Sequence, residues 1–223
     1  MAVLAMLFLF SQRLTLMESF CIIHLDVGKK SLFTYNHINE GMTMLYTYKQ
    51  CLKNWGTPYF LKQALQKRKL FQIEKGIYAD TEHASSLAVI TTKYPKAIIT
   101  LDSAFFFHGL TDAIPCAYCL ATSMSSRALR DKRIRQIYVK DSLLPLGCIS
   151  MTRKDATFQI YDKERMLIEL LRFKNKIPYD FYKEILNNYR KIVAELDIER
   201  IQNYAENFPK HKMLCHTLET EVF

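Results

Sequence analysis

Residues 45–80 read LYTYKQCLKNWGTPYFLKQALQKRKLFQIEKGIYAD. Thr57 and Pro58 open a helix there. A threonine oxygen can accept an orphan backbone N–H, and proline suits the first helical position, where its missing N–H costs nothing. The helix expected over residues 58–68 sets Phe60, Leu61, Ala64 and Leu65 on one face and Tyr59, Lys62, Gln63 and Gln66 on another. A shorter helix, over about residues 47–55, offers Leu52 and Trp55 to a small core, and Gly56 closes it. Residues 70–73 and 76–79 read as two strands turning at Glu74-Lys75-Gly76. Two short helices, a tight turn and a basic hairpin are the outline of a helix-turn-helix followed by a wing.

Between residues 44 and 80 there are seven lysines and arginines (Lys49, Lys53, Lys62, Lys67, Arg68, Lys69, Lys75) against two acids, Glu74 and Asp80. Two readings share this pattern. In one, Tyr59, Lys62, Gln63 and Gln66 meet base edges while Lys67, Lys69 and Lys75 hold flanking phosphates of double-stranded DNA. In the other, the charges are the solvated face of an ordinary helical hairpin.

The rest of the chain fits either. Its 223 residues are 49% hydrophobic, enough for a sizeable core, and the net charge of +9 favours a polyanionic partner. The six cysteines, at positions 21, 51, 116, 119, 148 and 215, are irregularly spaced and read as reduced thiols of a cytoplasmic protein. No run approaches the roughly 18 apolar residues of a membrane span. The apolar run 1–10 lacks the charged segment and cleavage site of a secretory signal.

Residues 1–43 have no clear period and balance three basic residues against three acids, so the whole basic surplus lies beyond them. Glu40-Gly41 can be encoded by a purine-rich run like a bacterial ribosome-binding site, with Met44 shortly after. The expectation is a native start at Met44, with residues 1–43 a non-native or disordered extension.

After the hairpin, residues 83–86 read as a connector and 87–94 as a helix ended ahead of Pro95. Residues 97–101 form a β-rich run, and Asp102 is expected to cap a helix through Ser103-Ala104-Phe105-Phe106-Phe107-His108, stopped by Gly109. Strands are expected at 117–122, 134–140, 147–151 and 156–161, with a polar, basic segment over 123–133. Helices follow at 163–173, capped by Asp162, at 178–192, and at 198–208 after Asp197. The tail, 211–223, shows no pattern. The chain is therefore an α+β protein: a small winged helix-turn-helix over 44–82, then a mixed domain over 83–210 that ends in helices.

Three motifs in this order carry a family resemblance: Lys75-Gly76-Ile77-Tyr78, then Ser103-Ala104 running into His108-Gly109-Leu110, then Tyr161-Asp162-Lys163-Glu164-Arg165. Over roughly residues 44–208 the chain resembles the AbiEi antitoxins of type IV toxin–antitoxin systems, abortive-infection regulators of bacteria. The resemblance implies an N-terminal winged helix that binds inverted repeats in the protein's own promoter, and a C-terminal domain with antitoxin activity. It implies a nucleotidyltransferase-like toxin as functional partner, countered without a stable complex. The residue pattern itself offers no catalytic constellation, cofactor site or membrane span, so no enzymatic activity, cofactor or membrane partner is expected. A winged helix usually has three helices, and only two precede this wing; either it is a minimal version or residues before Met44 supply the third.

Enzymatic constellations are not evident. Gly76-Ile77-Tyr78 is half of a GIY-YIG nuclease motif, but residues 79–94 lack the second half. Cys116 and Cys119 form a single CxxC, two ligands where structural zinc wants four. His108, after three phenylalanines, reads as a core histidine. Asp162, Glu164 and Arg165 suit capping and first-turn electrostatics. Arg127, Arg130, Lys132, Arg133 and Arg135 form a second basic cluster, open to three readings: a phosphate-contacting surface, an antitoxin surface, or a solvated loop.

Overall fold

The computed structural model describes residues 43–154 and 156–222. The expected extension, 1–43, lies outside these residues except for Thr43. The first described element is β1 (Leu45–Thr47), which the sequence pattern did not suggest. Thr47 ends it and starts α1 (Tyr48–Trp55). The Thr47 oxygen accepts the Gln50 N–H at 3.4 Å, and the Gln50 side chain accepts the Thr47 N–H at 2.8 Å, a capping box. In α2 (Pro58–Gln66), Thr57 holds the N-cap position but makes no side-chain cap bond; Pro58 alone begins the helix.

The helix stops two residues before the expected end, for a local reason. Arg68 turns left-handed, with φ of 51°. The Lys69 N–H then bonds back to the Ala64 carbonyl at 3.0 Å and the Arg68 N–H to that of Leu65 at 3.1 Å. This is a Schellman closure. Strands β2 (Phe71–Glu74) and β3 (Ile77–Ala79) form the expected antiparallel hairpin, and β1 pairs with the free edge of β3. Cys51, Leu61, Ala64, Leu70 and Tyr78 make a small core, flanked by Tyr46, Trp55 and Leu65. Phe60 does not join it: spacing places it on the apolar face, yet it is 45% exposed.

Helix α3 (Ser86–Lys93) is capped by Ser85, whose oxygen accepts the Ala88 N–H at 3.1 Å. Leu87, Ala88, Val89 and Ile90 are all buried in it. It packs on β1 and β3 of the small sheet and on β8 of the larger one. Thus a third helix does lie against the small sheet, and it comes from behind the hairpin in the chain.

The larger sheet runs β6-β5-β4-β8-β7. Its strands are β4 (Ile98–Ile99), β5 (Tyr118–Ser123), β6 (Ile134–Val139), β7 (Cys148–Arg153) and β8 (Ala156–Tyr161). β5 and β6 are parallel, as are β4 and β8, while the β4–β5 and β7–β8 pairs are antiparallel. A parallel neighbour demands a crossover back along the strand. Residues 124–133 make that return between β5 and β6.

Helix α4 (Leu101–Phe107) begins at Thr100, so Asp102 lies inside the first turn instead of capping it, and pairs with Arg135 at 2.9 Å. Asp162 caps α5 (Lys163–Arg172) as expected, accepting the Arg165 N–H at 2.7 Å. It also accepts the Tyr204 hydroxyl at 2.9 Å, tying α5 to α7 (Ile198–Glu206), with α6 (Tyr179–Lys191) between them in the chain. The patternless tail is helical: α8 (His211–Thr217) and a π-turn (Leu218–Val222) bury Leu214, Leu218 and Val222 in the main core. Its apolar positions are too few for a periodicity to stand out in the sequence.

His108 caps α4 at its C-terminal end, and its Nε2 donates to the Tyr161 carbonyl at 2.6 Å. Burial holds its pKa below the ordinary histidine value. A depressed histidine pKa stabilises the fold above the unfolded value of about 6.5, and that contribution is lost as pH falls through the folded pKa. Urea midpoints should therefore fall between pH 7.5 and 5. The fall should be shallower in His108→Asn; an identical pH profile in the two proteins would refute this role.

Candidate nucleic-acid interface

The residues that α2 and the hairpin expose are set by three devices already described. Pro58 fixes where α2 begins, the Schellman closure fixes where it ends, and the small core fixes its rotation. Leu61 and Ala64 point inward, so Lys62 and Gln66 are exposed, Gln63 is half-buried, and Tyr59 is 65% exposed. The Gln63 amide donates to the Tyr59 hydroxyl at 3.0 Å, so two candidate base readers hold each other one turn apart. Phe60 stacks edge-on against Tyr59, with ring centroids 5.6 Å apart. Lys67, Lys69 and Lys75 are exposed, and among the described residues none of these lysines, nor Lys62, pairs with an acid.

The two acids of this segment are both occupied. Asp80 accepts the Met44 N–H at 3.0 Å. Glu74, beside Lys75 in the turn, meets the Arg133 guanidinium at 2.6 Å and the Lys93 ammonium at 3.5 Å. Asp131 closes the network, at 2.7 Å from Arg133 and 3.2 Å from Lys93. Hydrogen bonds from Arg133 hold the Asp131 carboxyl well below the usual carboxylate range, and bonds to Asp131 and Glu74 raise Arg133 further.

The second basic cluster therefore divides. Arg133 is a strut between the crossover and the hairpin, and Arg135 is bound to Asp102. Both are committed to ion pairs, Arg133 half-buried and Arg135 still exposed. Arg127, Arg130 and Lys132 are exposed and remain available. The sequence holds one signal for this network: Glu74 is the one acid at the turn of a strongly basic hairpin.

Other chemistry-bearing groups have structural neighbours. Cys119 is buried in β5, and burial raises its thiol pKa, whereas Cys116 is exposed in the preceding loop. Glu169 is shared by Arg165 at 2.7 Å and Arg172 at 2.6 Å, so its carboxylate is saturated and offers no free base. Beside it, Thr100, Tyr138, Lys140, Arg172 and Phe208 line part of a 120 Å³ pocket. Among the described residues no group of three or more His, Cys, Asp or Glu side chains is placed to hold a metal, and no helix is long and apolar enough to cross a membrane.

No protein-family model matches the chain, and no curated protein matches it.

Proposed function

We propose that the protein is a sequence-specific, double-stranded-DNA-binding regulator. Its first elements act as a winged helix, with α2 in the major groove and the β2–β3 hairpin on the flanking backbone. The observation that supports this best is the placement of charge. Glu74 is neutralised by cations from outside the segment and Asp80 is tied to a backbone N–H, while Lys62, Lys67, Lys69 and Lys75 stay exposed and, among the described residues, pair with no acid around a helix face carrying Tyr59, Gln63 and Gln66. A solvated hairpin has no need to neutralise the acid at its turn and leave its cations free. A phosphate-binding surface does.

The resemblance to AbiEi antitoxins supplies the wider role. The protein represses its own promoter at inverted repeats and acts as antitoxin to a nucleotidyltransferase-like toxin, with no stable complex between them and no enzymatic activity of its own. Two copies would then occupy one operator.

Mobility-shift titration on the DNA upstream of the gene tests the reading. Lys62→Ala with Gln63→Ala should weaken the specific complex by about 1–3 kcal/mol and leave non-specific binding nearly intact. Absence of any shift at low salt would refute it.

One observation favours a second reading, an antitoxin whose helix-turn-helix binds no DNA. The exposed Tyr59–Phe60 pair is an aromatic anchor of the kind that protein interfaces use. Toxin rescue that is lost in Tyr59→Ala with Phe60→Ala, in a full chain that shows no DNA binding, would favour it.

A further inference from the structure

We propose that the crossover between β5 and β6 is a second phosphate-binding segment, an inference that rests on the DNA-binding reading above. Three observations carry this. First, the crossover is docked on the hairpin: Arg133 reaches Glu74 at 2.6 Å, and Asp131 and Glu74 share Lys93. Lys132 thus lies one residue from an ion pair whose other member lies one residue from Lys75. Second, the crossover has a defined shape. The Gln136 side chain accepts the Leu129 N–H at 2.8 Å and donates to the Arg127 carbonyl at 3.2 Å and the Thr122 hydroxyl at 2.7 Å. One β6 residue thereby pins the backbone on either side of Ala128. Third, the charge is unbalanced. Asp131 is the only acid between residues 124 and 133, and it is neutralised, while Arg127, Arg130 and Lys132 are exposed.

Arg127, Arg130 and Lys132 bind the DNA backbone next to the phosphates held by Lys75. The Glu74–Arg133–Asp131–Lys93 network is the clamp that fixes where they stand. The larger domain then contributes directly to DNA affinity without reading bases. Arg133, Lys93 and Gln136 are positioning residues, acting through the segment they hold.

Each phosphate contact given up lowers the dependence of log K on log salt by about 0.9. Fluorescence-anisotropy titrations of the full chain on a promoter duplex, at several salt concentrations, read this directly. The triple variant Arg127→Ala, Arg130→Ala, Lys132→Ala should flatten the slope by about 2–3 while keeping the preference for promoter over scrambled duplex. Arg127→Lys with Arg130→Lys should keep the wild-type slope. Glu74→Gln with Arg133→Gln leaves net charge unchanged yet opens the clamp, and should also flatten the slope. If the wild-type protein binds DNA and the triple variant matches its slope, this inference is overturned and the DNA-binding reading stands. If the triple variant flattens the slope and the clamp variant does not, the positioning role is overturned. If the wild-type protein binds no duplex at low salt, the DNA-binding reading itself has failed.

Discussion

Gly147→Ala should cost about 3–5 kcal/mol of folding stability, the sum of left-handed backbone strain and overpacking of a filled site. Gly147 sits at φ of 72°, where a side chain is strained whatever the space around it. Here the space is absent as well. An added methyl would stand 2.6 Å from the Arg165 Cβ and 3.0 Å from an Asp162 carboxylate oxygen. Neither neighbour can step aside. The Arg165 Cβ is rooted in α5, and the Arg165 side chain is fully buried. Asp162 is held by its cap bond to the Arg165 N–H, by the Tyr204 hydroxyl, and by its own N–H, which donates to the Gly147 carbonyl at 2.7 Å. Relief would mean moving the start of α5, on which the main core is built. Since domains of this kind hold only about 5–15 kcal/mol in total, the loss should show as a large fall in urea midpoint followed by circular dichroism. A midpoint within experimental error of wild type would disprove the account.

Glu169→Ala should be comparably damaging, at about 3–5 kcal/mol, because it strands a buried cation. The Glu169 carboxylate receives Nε and Nη2 of Arg165 at 3.1 and 2.7 Å, and Arg172 at 2.6 Å. Arg165 is 0% exposed, and its Nη1 has no hydrogen-bond partner among the described residues. Its other neighbours are ring faces, Tyr161 at 4.9 Å and Phe208 at 4.3 Å, which attract a cation but do not replace a carboxylate. The diagnostic result is an ordering. Arg165→Met combined with Glu169→Leu removes both charges together and should be less destabilised than Glu169→Ala alone. Equal midpoints for the single and double variants would show that the damage comes from lost packing instead of an unpaired charge.

The contrast between these two sites shows what the sequence could reveal. Asp162, Lys163, Glu164 and Arg165 were legible as a helix start, because capping is a local code in which one side chain answers a backbone group three residues on. The partners of that corner, Gly147 from the β6–β7 connection and Phe208 from the end of α7, were not. They arrive through tertiary packing, which leaves no periodic trace. The same division holds at the candidate interface. Lys62, Gln63 and Gln66 followed from helical spacing, while Phe60 went astray because spacing assigns a face without saying whether anything covers it. β1 leaves no signal because three residues are too few to show alternation. Spacing groups Arg133 with its charged neighbours because its acid, Glu74, lies far off in the chain. Parallel pairing of β5 with β6 is likewise invisible in the pattern, so nothing there marks the basic loop between them as a crossover.

Helix α3 packs against β1 and β3 of the small sheet as well as β8 of the larger one, and Leu45 of β1 packs with it on the main core. The chain therefore has no seam at residue 82 where one part could be inherited without the other. Recombination at that point would hand a new partner half of a packed helix face. Change in the surface of α2 is left to substitution at its exposed positions, one residue at a time. The sheet behind it descends with it as a single heritable piece.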